Sequence, residues 1–78
     1  MEFGLEEIRP GVQAAVVAIP DENLLQGRLR QFGFTVGTEL SCRYRSPGRD
    51  LVALAFGGTM IAVRVADLGG IRCRRCDG

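Results

Sequence analysis

The 78-residue sequence contains no histidine, no lysine and no tryptophan. The absence of histidine removes the commonest general base and the commonest protein ligand of zinc and iron. Any catalysis or metal binding would therefore depend on cysteine, aspartate, glutamate or arginine. Because lysine is absent, the ten cations are all arginines; nine carboxylates oppose them, so the formal net charge is +1. Such a balance disfavours nucleic-acid binding, which needs several clustered cations.

Long apolar runs are also absent. The longest is AAVVAI, from Ala14 to Ile19, whereas a membrane-spanning helix needs about 20 residues. The N-terminus lacks the basic region and the apolar stretch of a signal peptide. Apolar residues make up 46% of the chain and charged residues 24%, which is typical of a folded globular protein. We therefore expect a cytoplasmic protein that does not span a membrane.

Two types of hydrophobic pattern share the first half of the chain. Residues Val12 to Ile19 are rich in β-branched side chains and free of breakers, which predicts a mostly buried strand. Leu25, Leu29 and Phe32 then recur at helical spacing, and they predict one short helix over about residues 22–32.

The segment RLRQFGFTVGTEL predicts two close corners after this helix. Gly33 stands where helices commonly end in a left-handed residue. Phe34 and Val36 would then fold back onto the helix, and Gly37 would turn the chain again. We interpret Gly33, Phe34 and Gly37 as a structural corner. The strand that follows alternates and is predicted to bury Leu40, Cys42 and Tyr44.

The second half of the chain reads as short strands. Residues 51–56 and 59–65 flank Gly57-Gly58, a two-residue loop typical of a hairpin, and residues 71–75 alternate again. With about five short antiparallel strands and one helix, the fold class is mainly β, and a small, partly closed barrel is the economical way to protect strand edges. We expect one domain over residues 1–78, with a core of about 5–72 and a tail of 73–78.

The chain resembles the FeoA family in three segments, which occur in the order EEIRPGVQAAVVAI, RLRQFGFTVGTEL and GGTMIAVRVADLGGI. The resemblance covers about Leu5 to Ile71 and implies an SH3-like barrel. It also implies a cytoplasmic, non-enzymatic accessory role in ferrous iron uptake. The implied partner is the large membrane permease with a GTPase domain, of the FeoB type. Gln26-Gly27 and the tail CRRCDG depart from the family pattern.

Exposed arginines are the candidate partner-binding residues. Arg28 and Arg30 lie near the predicted helix end, and Arg43 and Arg45 flank Tyr44 in the predicted strand. Arginine next to an aromatic side chain can bind RNA or an acidic protein surface. The near-neutral charge favours the protein surface, and no nucleic acid is expected. A nucleic-acid-binding barrel remains an alternative function, and solvated arginines without a partner are the simpler reading.

The tail raises a second alternative, a thiol-based metal or redox module. Cys73 and Cys76 form a Cys-x-x-Cys pair, and flanking arginines would lower their thiol pKa values. A closed zinc site needs four ligands, however, and the chain adds only Cys42. We expect Cys42 and Cys73 to pack in the core, Cys76 to be exposed, and no cofactor or metal to be bound. Two chains that share Cys73 and Cys76, in a homo-oligomer, could complete a transition-metal site.

Overall fold

The computed structural model describes residues 1–20, 26–48 and 50–76. These residues form, in order, β1 (Glu2–Gly4), a first 3-10 helix (Leu5–Glu7), β2 (Gln13–Ala18), α1 (Gln26–Gln31), β3 (Glu39–Arg45), β4 (Leu51–Phe56), β5 (Thr59–Arg64), a second 3-10 helix (Val65–Leu68) and β6 (Arg72–Arg75). The predicted class, mainly β with one short helix, is confirmed. In the described part no helix is long and apolar enough to cross a membrane.

The strands form one antiparallel sheet in the order β1-β6-β2-β3-β4-β5. Its register shifts between Val16 and Ala18 in β2 and between Cys42 and Tyr44 in β3. Such irregularities bend a strand and increase its twist, so they help the sheet to curl around one core. The curled sheet leaves β1 and β5 as its two edges.

The core inside this sheet is apolar throughout. Among the described residues no polar or charged side chain is buried. The buried hydrophobic residues are Leu5, Ile8, Ala14, Val16, Leu29, Phe34, Leu40, Cys42, Val52, Leu54, Phe56, Leu68, Ile71 and Cys73. Every strand except β1 and β5 contributes to this set, and these two strands pack Phe3, Ile61 and Val63 against it. The hydrophobic effect therefore holds the barrel together without help from buried ion pairs in the described part.

The helix ends in a Schellman motif, which fixes the first predicted corner. The N–H of Phe34 donates to the carbonyl of Leu29 at 2.9 Å, and the N–H of Gly33 donates to the carbonyl of Arg30 at 3.0 Å. Gly33 has a φ of +84°, the left-handed conformation that this motif requires. Phe34 and Leu29 are both buried, so the motif also has its usual apolar contact.

The second corner joins the chain to β2. Gly37 has a φ of +96°, and its N–H donates to the carbonyl of Val16 at 2.8 Å. The carbonyl of Thr38 accepts from the N–H of Val16 at 2.9 Å. The Thr38 hydroxyl closes the turn, since it accepts from the N–H of Thr35 and donates to the carbonyl of Gly33. Backbone bonds thus anchor both ends of the corner.

The first difference from the sequence prediction is the strand count, which is six and not five. The additional strand, β1, pairs Phe3 with Cys73 of β6. Three residues are too few for an alternation to be recognised. The first 3-10 helix follows β1 directly, and Leu5 and Ile8 are buried there.

Three side chains predicted to pack inward are exposed instead: Phe32 by 49%, Val36 by 62% and Tyr44 by 55%. Phe32 and Val36 lie where the chain reverses direction at the two glycine corners, so helical and strand spacing no longer apply. Tyr44 follows the bulge in β3, which moves it to the outer face. The predicted helix start and Leu25 lie outside the described residues.

Gly33 and Gly27 provide a matched test of the corner, because an added Cβ would meet nothing within 4 Å at either position. Gly33→Ala should lower the free energy of unfolding by about 1 kcal/mol, since only Gly33 has a left-handed backbone. Gly27→Ala, inside α1, should raise it by about 0.5–1 kcal/mol. Urea unfolding measures both values. Equal effects of the two substitutions would contradict a conformational role for Gly33.

Candidate protein-binding site

The bulge in β3 shifts the alternation of its side chains, so that Arg45 points toward the N-terminal segment. Its Nη1 donates to the carbonyls of Glu6 and Ile8, at 2.9 Å and 2.7 Å. These carbonyls lie at the end of the first 3-10 helix, where backbone acceptors lack helical partners. Arg45 was a candidate for partner binding, and in the free protein its guanidinium joins β3 to the N-terminal segment.

The other candidate arginines differ in surroundings. Arg43 is exposed on β3 and Arg30 is exposed on α1. The side chain of Arg28 lies outside the described part of the chain. The structure therefore does not gather Arg28, Arg30, Arg43 and Arg45 into one described cluster.

Arg45 and Arg43 allow a comparison within one strand. Arg45→Met should reduce the free energy of unfolding by about 1.5–3 kcal/mol, because two charge-assisted hydrogen bonds are lost. Arg43→Met removes an exposed cation and should change it by about 0.5 kcal/mol or less. Chemical denaturation of the two variants measures the difference. Similar stabilities would show that the Arg45 contacts do not stabilise the N-terminal segment.

The outer face of the sheet alternates charges of opposite sign. Arg74 lies opposite Glu2 on one side and opposite Ala15 on the other. Ala15 in turn lies opposite Glu39 of β3. A nucleic-acid backbone requires a continuous cationic path, and carboxylates interrupt this row on both sides of Arg74.

The two tail cysteines are in different environments. Cys73 is 0% exposed and faces the core, whereas Cys76 is half-buried at the surface. Burial raises the pKa of the Cys73 thiol from 9.0 to about 11, against the smaller opposing effect of the Arg72 charge. The neighbouring Arg72 lowers this pKa, as expected from the sequence, but burial outweighs its effect and the net pKa is raised. No group of three or more potential metal-ligating side chains occurs within residues 1–20, 26–48 and 50–76.

The raised pKa of Cys73 gives stability a pH dependence. Between about pH 9 and pH 11 the unfolded chain loses the thiol proton and the folded chain keeps it. The contribution of this thiol to the free energy of unfolding is therefore fully present below pH 9 and is lost as the pH rises to 11. Cys73→Ala should show a shallower decrease, measured by urea unfolding across this range. Burial also raises the pKa of Cys42, so a slope will remain in the variant. Identical slopes would contradict a buried Cys73 thiol.

An apolar cleft lies between α1 and β5. Its walls are Leu29, Phe32, Leu51, Ile61, Ala62 and Val63, and Arg64 and Asp67 lie at its end. Its volume is about 410 Å³. Phe32 and Leu51 are 49% and 44% exposed, so the cleft offers apolar surface to a partner. Sequence reasoning missed it, since Phe32 was assigned to the core.

β5 forms the wall of this cleft that faces α1, and the outer edge of this strand is not paired within the described sheet. It is an edge strand whose only neighbour in the described sheet is β4. All six of its residues pair with β4 without a register shift, from Thr59 opposite Phe56 to Arg64 opposite Leu51. Gly57 and Gly58 connect the strands with φ values of +57° and +78°, the type I′ geometry expected of a two-residue hairpin loop. The predicted hairpin is confirmed.

The family follows from a sequence comparison. The model of the FeoA domain matches residues 3–75. This chain belongs to the FeoA family. Members of the family are accessory proteins of ferrous iron transport, and the resemblance inferred from sequence is confirmed. A comparison with curated proteins gave no match.

Solved structures share the fold. The FeoA protein of Chlorobium tepidum is 24% identical, with a TM-score of 0.86 over 97% of this chain and 72% of that one. The Stenotrophomonas maltophilia FeoA, a prokaryotic SH3 domain protein in complex with zinc, is 23% identical, with a TM-score of 0.72 over 88% and 86% of the two chains. A manganese-dependent transcriptional repressor is 14% identical, with a TM-score of 0.85 over 96% of this chain and 41% of that one. These likenesses establish the SH3-like fold.

Proposed function

We propose that this FeoA-family chain is a cytoplasmic, non-enzymatic accessory protein of ferrous iron uptake. It binds the cytoplasmic region of the ferrous iron permease that carries a GTPase domain. The observation that carries this proposal is the family match over residues 3–75. The exposed apolar cleft between α1 and β5 supports it, because such a surface is typical of a site that binds another protein.

The chemistry of the described residues favours binding over catalysis. The core is apolar, and the strongest perturbed thiol, Cys73, is kept protonated by burial. A nucleophile needs the opposite, namely a lowered pKa and access to substrate. The chain also has no histidine to serve as a base. A role in which the protein contacts the permease and leaves nucleotide chemistry to it is consistent with these side chains.

The two alternative functions receive less support. A chelate formed by Cys73 and Cys76 would require the buried Cys73 thiol to leave the core. A nucleic-acid site would have to accommodate Glu2 and Glu39 in the same row as Arg74. Neither arrangement supplies the ligand set or the cationic path that these functions need.

A binding experiment tests the proposal. Immobilised wild-type protein should retain the purified cytoplasmic region of the permease from the same organism, and the isolated protein should release no phosphate from GTP. Protein unfolded in urea and blocked at its thiols serves as the control for nonspecific retention. Retention equal to that control, or GTP hydrolysis by the pure protein, would contradict the proposal.

A further inference from the structure

We infer that the outer edge of β5 binds an extended segment of the permease's cytoplasmic region as an added antiparallel or parallel strand. Apolar side chains of that segment enter the cleft beside α1, and a carboxylate lies against Arg64. The inference rests on the proposed function and specifies its binding mode. Strand addition of this kind combines backbone hydrogen bonds for affinity with side-chain pockets for specificity.

The two edges of the sheet differ in how well they are protected. β1 has only three residues, and shortness is one of the devices that protect an edge from pairing. β5 has six residues, TMIAVR, without proline or bulge, and its one charge is at the last position. Natural proteins usually place charges, prolines or bulges on an edge that must stay unpaired. β5 has none of these along its first five residues.

The hairpin geometry determines which backbone groups of β5 face outward. A two-residue loop is closed by a hydrogen-bonded pair, here Phe56 and Thr59, and hydrogen-bonded pairs then alternate along the ladder. The backbone N–H and C=O groups of Ile61 and Val63 therefore form hydrogen bonds with β4. Met60, Ala62 and Arg64 direct their N–H and C=O groups to the outer edge. These groups match the hydrogen-bonding pattern of one more strand and of no other regular element.

The cleft provides space for the side chains of that strand. Ile61 and Val63 are half-buried on the core side of β5, and Leu29 and Phe32 of the α1 end form the opposite wall. Alternate side chains of an added strand on the same face would enter between these walls. Burial of Phe32, now 49% exposed, would contribute to affinity.

A second copy of this chain fits the edge less well than a foreign segment. If β5 paired with β5 of another copy, that copy would present its own Ile61 and Val63 to the cleft. These two side chains are already packed against the core of their own chain. Such pairing would leave both clefts unfilled. β5 also contains no carboxylate to oppose Arg64, which is exposed and makes no hydrogen bond or ion pair with the described residues. A segment of the permease with apolar side chains and one acidic residue satisfies both requirements.

Ala62 offers a direct test, because its N–H faces outward and proline removes this donor without removing an N–H that bonds to β4. Proline is tolerated on edge strands where the N–H does not bond within the sheet. Ala62→Pro should weaken binding of the permease's cytoplasmic region by about tenfold or more, measured by isothermal calorimetry. Ala62→Ser keeps the N–H and should bind within about twofold of wild type. Thermal unfolding of both variants checks that the fold is retained.

Arg64 gives an independent variant if Ala62→Pro does not fold. Arg64→Glu should weaken binding severalfold and make the affinity less dependent on salt concentration. Arg64→Lys should keep the wild-type affinity and its salt dependence. Unchanged affinity of a folded Ala62→Pro, or of Arg64→Glu, would overturn the inference while the proposed function stands. Failure of the wild type to bind would overturn both. A wild-type dimer in light scattering that Ala62→Pro dissociates would assign the edge to a second copy and would also overturn the inference.

Discussion

The contact on which the arrangement depends is the anchoring of Phe34 beneath the end of α1. Phe34 is 0% exposed, and its ring meets that of Phe56 edge-to-face, with centroids 5.2 Å apart. Its N–H also closes the Schellman motif on Leu29. One residue thus joins the helix to the hairpin of β4 and β5. Because α1 is held at this position, its Leu29 and the following Phe32 form a wall opposite β5, and the cleft exists as a consequence.

A domain of this size has little core with which to stabilise functional groups, and this constrains what it can do. Small chains bury a smaller fraction of their surface on folding than large ones, and here the described core is apolar throughout. The hydrogen-bonded sheet ends in two edge strands, β1 and β5. The features left for function are therefore on the surface: a strand edge, an apolar cleft and arginines. Features of these kinds are suited to recognition, which agrees with an accessory role in ferrous iron transport.

Much of this fold could be predicted from local patterns, and the failures have physical causes. The strand from Leu51 to Phe56 has the bounds predicted for it, since its composition and the glycine loop after it are both unambiguous. Tyr44 was placed on the wrong face because a bulge depends on the neighbouring strand and leaves no trace in simple alternation. Phe32 was assigned to the core because helical spacing does not show where the chain will reverse. The cleft could not be predicted, since it depends on the distance between two elements far apart in sequence.

Strand addition at β5 can be measured by amide hydrogen exchange of the free protein and of its complex with the permease's cytoplasmic region, because adjacent residues of β5 should exchange at different rates. Slow exchange is expected for Ile61 and Val63 in both states, since their N–H groups bond to β4. Met60, Ala62 and Arg64 should exchange fast in the free protein and slowly in the complex. Fast exchange of these three amides in a saturated complex would rule out strand addition at β5.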